Sequence, residues 1–164
     1  MRLDEIDLAL VRELQSDARQ SNVALARKVS LTEGAVRRRI DNLLTRGALR
    51  IVAVADPEWL GLHTHAVIGL RVDIDRIEPL SDELANMREL SYVYQTAGHF
   101  DLIVVGFFAS TEQLRVFLTQ RLGRLQGVKG TDTYLVLRTM KRSLRWGEAV
   151  TEDARANPVA VPIG

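Results

Sequence analysis

Residues 21–47 read SNVALARKVSLTEGAVRRRIDNLLTRG, and this stretch decides the fold of the amino-terminal third of the chain. Ser21 and Thr32 are residue types that cap helix N-termini, and apolar residues at helical spacing follow each of them. Gly47 stands where a left-handed residue would end the second helix. The pattern predicts helices over residues 22–29 and 33–45 with a short turn between them.

Two helices joined by so short a turn are typical of the helix-turn-helix unit. Val36 and Ile40 form the inner face of the second helix, which leaves Arg37 and Arg38 on its outer face. In such units the second helix enters the DNA major groove, where arginine binds guanine edges or phosphates. The sequence therefore predicts a DNA-reading helix, although Ser30 occupies a turn position that usually favours glycine.

The segments on either side of this unit complete a small module. Asp4 and Asp7 are spaced as an N-cap and its third helical residue, and they precede an apolar stripe that predicts a first helix. Residues 49–55 have a β-like pattern and are interpreted as a wing or a linker strand. The alternative for residues 1–55 is a plain three-helix bundle that contacts other proteins.

Charge is distributed unevenly along the 164 residues. The whole chain has 22 Lys and Arg against 21 Asp and Glu, and a net charge of +1 argues against a nucleic-acid binder. Residues 27–50, however, hold seven Lys and Arg against two Asp and Glu. A basic module within a near-neutral chain is typical of DNA binding. Cysteine is absent, which excludes disulfides, zinc ribbons and thiol catalysis.

The rest of the chain alternates strand and helix patterns in the order βαββαβ. Strands are expected over residues 63–72, 91–97, 100–108 and 131–140, with helices around residues 77–87 and 111–125. This order predicts a ferredoxin-like α+β domain. The third strand is apolar on both faces, so we expect a second copy of the chain to cover the open face of the sheet.

The ordered set of motifs resembles the Lrp/AsnC (feast/famine) family of prokaryotic transcription regulators. The resemblance rests on LDEIDLALVRELQSDARQSNVALARKVSLTEGAVRRRIDNLLTRGAL, on the connector DPEWLGL, on GHFDLIVVGF and on RLGRLQGVKGTDTYLVLRTMKRS. It implies a winged helix-turn-helix domain at residues 1–50, a linker strand and connector at 51–62, a ferredoxin-like ligand-binding and oligomerisation domain at 63–143, and a tail at 144–164. It also implies binding to double-stranded DNA by homodimers that assemble into tetramers or octamers.

The same resemblance implies two sets of site residues. The DNA-contact candidates are Thr32, Glu33, Arg37, Arg38 and Arg39. The candidates for binding a small-molecule effector, expected to be an amino acid, are Gly98, His99, Phe100, Asp101, Thr133, Tyr134 and Leu135. The family turn often carries aspartate where this chain has His99, and the replacement removes one possible partner for the ammonium group of a ligand.

Other functions have little support in the sequence. Without a recognisable catalytic motif we expect no enzyme and no cofactor, and His63 and His65 lack a third metal ligand nearby. No apolar run is long enough to cross a bilayer, so a cytoplasmic protein without membrane contact is expected. The main alternative is a ligand-independent architectural protein that coats and bends DNA. A further alternative is a ligand sensor that has lost its DNA role.

Overall fold

The computed structural model describes residues 3–143 and Arg145. The chain divides into two compact units, one formed by Met1–Ala53 with Lys141–Gly164 and the other by Val54–Met140. The tail expected over residues 144–164 lies, except for Arg145, outside the described residues.

The described part of the first unit contains three helices, as the sequence predicts. They are α1 (Glu5–Ser16), α2 (Asn22–Lys28) and α3 (Glu33–Thr45). Asp4 caps α1 by accepting a hydrogen bond from the Asp7 backbone amide, and the Asp7 side chain accepts one from the Asp4 amide in return. Ser21 and Thr32 cap the other two helices.

The short turn between α2 and α3 contains one residue in the left-handed conformation, Ser30. Ser30 has a φ of 54°, so a serine takes the left-handed conformation that glycine would adopt with less strain. The Leu31 amide donates to the Ala26 carbonyl oxygen at 3.0 Å and closes the turn. Leu25 and Val36 are fully buried on either side of it. This packing holds α3 against α2 and leaves the opposite side of α3 in solvent.

The wing or linker strand expected over residues 49–55 is not present in the single chain. Residues 51–56 have no regular secondary structure, and Ile51, Val52 and Val54 are all more than half exposed. A single extended segment has no ladder of hydrogen bonds unless another strand lies beside it. A 3₁₀ turn, Pro57–Leu60, follows and is capped by the Asp56 side chain.

The second unit is a four-stranded antiparallel sheet with two helices, which confirms the predicted ferredoxin-like fold. In chain order its elements are β1 (Thr64–Val72), α4 (Ile77–Ala85), β2 (Leu90–Gln95), β3 (Leu102–Phe108), α5 (Thr111–Val116) and β4 (Val128–Leu135). The strands lie side by side in the order β2-β3-β1-β4. Burial alternates along β3 and, except at the buried Gly69, along β1: Ile68, Leu70, Val104 and Phe108 are buried beneath the helices. The alternate residues lie on the open face of the sheet.

Several element boundaries differ from the sequence-based expectation, and the largest differences are in the last strand and in the helix before it. The last strand was predicted over residues 131–140, but β4 begins at Val128 and ends at Leu135. β4 pairs with β1, and β1 begins only at Thr64. The strand therefore ends close to the hydrogen bond that the Val136 amide donates to the His65 carbonyl oxygen, because β1 offers no further backbone groups beyond that point. The helix expected from Thr111 is α5, and its N-cap is Ser110 instead of Thr111. After Val116 it continues as a π-helical turn over Phe117–Arg121.

Candidate nucleic-acid interface and effector site

The exposed side of α3 carries most of the DNA-contact candidates. Thr32, Glu33, Arg37 and Arg38 are all exposed, while Val36, Ile40 and Leu43 on the other side are buried. The helical period of the sequence therefore separates the packing residues from the charged residues.

Arg37 and Arg38, the two exposed arginines of α3, are not held by strong ion pairs in the described structure. Arg37 approaches Asp41 with 4.0 Å between Nε and Oδ2, and both side chains are largely exposed. Such a pair contributes at most about 1 kcal/mol and exchanges readily for another anion. Both guanidinium groups are thus available to phosphate oxygens or guanine edges.

Arg39 is placed differently from the other candidates. Its Nη1 atom lies 2.6 Å from Asp4 Oδ2 and 2.7 Å from Asp7 Oδ1, so one guanidinium nitrogen binds both members of the α1 capping box. These hydrogen bonds raise the pKa of Arg39. The Asp7 backbone amide and, to a smaller extent, Arg39 lower the pKa of Asp4. The structure therefore joins Arg39 to α1 and does not group it with the exposed arginines.

The effector candidates at residues 98–101 form the turn between β2 and β3. The Asp101 carboxylate accepts a hydrogen bond from the Val72 amide at 2.8 Å, and the Asp101 amide donates to the Leu70 carbonyl oxygen at 3.0 Å. The Asp101 carbonyl oxygen also accepts from the Thr96 amide. Asp101 thus fastens this turn to β1, as turn aspartates commonly do.

The conformation of this turn does not require a glycine at position 98. The φ of Gly98 is not positive, and a Cβ atom placed there would meet no heavy atom of the described chain within 4 Å. The glycine that packs closely against this turn is Gly69 on β1. A Cβ atom on Gly69 would lie 2.5 Å from the Phe100 ring, so the missing side chain makes room for that ring.

A polar cluster that sequence reasoning missed lies beside this turn. Arg71 Nη1 lies 3.1 Å from Asp132 Oδ2 and 3.3 Å from His99 Nε2, and His99 packs edge-on against Phe100. A guanidinium only donates hydrogen bonds, so Nε2 of His99 accepts in this arrangement. The signal that finds the cluster is strand register, because Asp132 pairs with Gly69 on the strand that also carries Arg71.

The three candidates on β4 do not share one face of the sheet. Tyr134 pairs with Val67 and lies on the open face together with Asp132. Thr133 and Leu135 pair with Ile68 and Ala66, which point towards the helices. The structure therefore brings Tyr134 to the same face as the polar cluster and places Thr133 and Leu135 on the other face.

The open face of the sheet is largely apolar. Tyr92 and Tyr94 stack with their ring centroids 5.7 Å apart and are each nearly half exposed. The half-buried residues Val67, Ile103, Val105 and Phe107 continue this surface across β3 and β1. Together with Tyr134 these side chains form what we call the open-face patch, a contiguous apolar surface of the kind that marks interaction sites.

Residues 3–143 and Arg145 contain neither a membrane-spanning helix nor a metal-ligand cluster. No helix in this part of the chain is long and apolar enough to cross a membrane. The same residues contain no group of three or more His, Asp or Glu side chains placed to hold a metal ion.

Comparisons with known proteins match both units. Residues 3–44 match the AsnC-type helix-turn-helix domain, and residues 65–146 match the Lrp/AsnC ligand binding domain. The chain is 33% identical over 140 residues to the HTH-type transcriptional regulator Ptr1 of Methanocaldococcus jannaschii, covering 85% of this chain and 95% of that protein. It is 32% identical over 142 residues to the regulator FL11 of Pyrococcus horikoshii, covering 86% and 93%.

Solved structures show the same fold. A Neisseria meningitidis transcriptional regulator, determined in complex with L-methionine, superposes with a TM-score of 0.82 at 23% identity over 90% of this chain and 99% of that one. The AsnC protein of E. coli gives a TM-score of 0.81 at 19% identity, covering 88% and 99%. With both domain matches and the curated relatives, these observations show that the chain belongs to the Lrp/AsnC family of helix-turn-helix transcriptional regulators.

Proposed function

We propose that this regulator binds its DNA sites specifically, works as a homodimer that assembles into tetramers or octamers, and responds to a small-molecule effector. The observation that carries the DNA proposal is the exposed pair Arg37 and Arg38 on the solvent side of α3. We further propose that it acts by binding and not by catalysis, and that it works in the cytoplasm, where a prokaryotic regulator meets the chromosome.

Within this proposal the DNA surface of α3 consists of Thr32, Glu33, Arg37 and Arg38. Arg39 instead positions the helix, because both of its carboxylate partners belong to the start of α1. Arginines that bind guanine would set the sequence preference, while arginines that bind phosphate would contribute affinity on any sequence.

Binding of labelled duplexes at several salt concentrations tests the DNA proposal. A specific regulator prefers its upstream fragment over random DNA by about 10³-fold or more. Arg37→Ala and Arg38→Ala should each either relax that preference or lower the salt slope by about 1. Equal affinity for both duplexes would favour the architectural alternative, and unchanged binding by both variants would remove α3 from the interface.

The open-face patch supports self-association. Apolar residues on both sides of the central strands leave the patch in water in a single chain, and a second copy is the simplest cover. Light scattering should give a dimer or larger for the unaltered protein, and Val105→Glu should lower that mass because it places a charge within the patch. A monomeric unaltered protein at micromolar concentration would contradict the proposal.

For the effector we propose an amino acid or a related metabolite bound between effector domains. The Neisseria meningitidis relative was solved with L-methionine, and the polar cluster here has groups of both signs. The Arg71 guanidinium suits a carboxylate, and the Asp101 and Asp132 carboxylates suit an ammonium group. The supporting residues are therefore Gly98, His99, Phe100, Asp101 and Tyr134, with Arg71 and Asp132 added by the structure.

A thermal-shift screen against amino acids and 2-oxo acids tests the effector proposal, because a ligand stabilises the folded state in proportion to the logarithm of its concentration over Kd. Asp101→Asn is the informative variant. An asparagine oxygen can still accept the Val72 hydrogen bond, so the turn is retained while the negative charge is removed. A full thermal shift in this variant would show that Asp101 does not bind the effector through its charge.

A further inference from the structure

A second concentration of positive charge follows β4. Arg138, Lys141, Arg142 and Arg145 lie within eight residues, and no Asp or Glu occurs between Asp132 and Glu148. All four side chains are exposed, and residues 136–143 belong to no helix or strand. The sequence-based expectation divided these residues between the last strand, the end of the effector domain and the tail, and assigned them no contact with DNA.

These basic residues lie at the point where the chain passes from the second compact unit to the first. The second unit ends at Met140, and the described residues that follow, 141–143 and Arg145, belong to the same compact unit as α1, α2 and α3. The unit that carries α3 therefore also carries three of these four cations. Arg138 precedes Lys141 by only three residues, a span of at most about 11 Å of extended chain.

The helical part of that unit has fewer cations available than its sequence indicates. Arg39 is bound to two carboxylates, and Lys28 is paired with Glu13. On α3 this leaves Arg37 and Arg38 for DNA, and each phosphate contact contributes about 0.9 to the salt dependence of binding. Within the described part of the chain, no carboxylate forms an ion pair with Arg138 or Lys141.

We propose that the exposed cations Arg138 and Lys141 form a second DNA-contact surface, which binds the phosphate backbone. This proposal rests on the proposed DNA-binding function and adds a surface separate from α3. The contacts are independent of base sequence, because phosphates carry no sequence information. Their contribution to affinity is therefore the same on a specific site and on random DNA.

The test compares two double variants of the full-length protein that remove the same charge. Arg138→Gln with Lys141→Gln removes two cations from the segment. Arg88→Gln with Arg124→Gln is the matched control, because both arginines are exposed and lie in the second unit. Fluorescence anisotropy is measured on the upstream duplex and on a random duplex across a range of sodium chloride concentrations.

We expect the segment variant to lower the salt slope by about 1.8 for each DNA-bound subunit, which corresponds to roughly thirty-fold weaker binding at 0.15 M salt. The loss should be equal on both duplexes and absent from the control. An unchanged slope, or an equal loss in the control, would overturn the proposal.

Light scattering on both double variants separates this surface from one that binds a second copy of the chain. A smaller oligomer in the segment variant would assign the cations to self-association and overturn the proposal. Failure of the unaltered protein to bind either duplex would remove the proposed DNA function itself. Normal binding by the unaltered protein with an unchanged slope in the variant would remove only this second surface.

Discussion

Replacing Arg39 with alanine tests whether this residue positions α3 or contacts DNA. The guanidinium makes two short hydrogen bonds to carboxylates, and its side chain is 31% exposed while that of Asp7 is 19% exposed. Hydrogen bonds to charged groups contribute about 1.5–3 kcal/mol when buried, whereas exposed ion pairs contribute about 0.2–1 kcal/mol. This partly exposed site lies between those limits, so we expect Arg39→Ala to lower the local free energy of unfolding by about 1–2 kcal/mol.

Native-state hydrogen exchange of the α1 and α3 amides measures this loss within the first unit alone. A double-mutant cycle with Asp7→Asn isolates the pair, and we expect a coupling of about 1 kcal/mol. Arg38→Ala is the matched control, because Arg38 is the exposed neighbour and its loss should change stability by less than about 0.5 kcal/mol. A coupling near zero would refute the energetic argument.

The same variants separate positioning from contact in DNA binding. Arg39→Ala should lower the affinity for DNA by the same factor at every salt concentration, so the salt slope should not change. The reason is that this variant loosens α3 without removing a phosphate contact. If Arg38 binds a phosphate, Arg38→Ala should instead lower the salt slope by about 0.9. A drop in slope for Arg39→Ala would show that Arg39 leaves Asp4 and Asp7 to bind DNA.

Three further outcomes follow from the geometry. Gly98→Ala should leave the melting temperature unchanged within about 1 °C, since its Cβ meets nothing nearby in the described chain. Gly69→Ala should lower the free energy of unfolding by about 1–3 kcal/mol, because its Cβ would overlap the Phe100 ring, and a denaturant titration would reveal any smaller effect. The pKa of Asp4 is lowered in the folded state, so its contribution is complete above about pH 5 and is lost as the pH falls below about 4. Acid unfolding should therefore be less steep in Asp4→Asn, and an identical pH dependence would contradict the assignment.

Local signals in the sequence predicted the first unit closely. The bounds of α3 agree with the prediction because Thr32 and Gly47 mark its two ends through their own capping chemistry. The strained turn at Ser30 was also predicted, since chain geometry requires a left-handed residue there whatever its side chain. Both features depend on neighbours only a few residues away.

The geometry around the effector candidates could not be predicted from local sequence, because it depends on register between distant strands. Asp132 meets Arg71 only because β4 pairs with β1 in one particular alignment. The same alignment places Thr133 on the helix side of the sheet. Arg39 illustrates a second limit, because helical spacing alone does not show that Asp4 and Asp7 lie within reach of it.

The turn between β2 and β3 has consequences for how relatives of this protein can diverge. Phe100 and Asp101 are anchored to the backbone of β1, whereas Gly98 is open and the His99 side chain is 73% exposed. Substitutions at positions 98 and 99 should therefore have little effect on folding. Substitutions at positions 100 and 101 should destabilise the turn. In the proposed effector site, two adjacent codons can therefore change the chemistry offered to a ligand while the sheet that supports the turn stays intact.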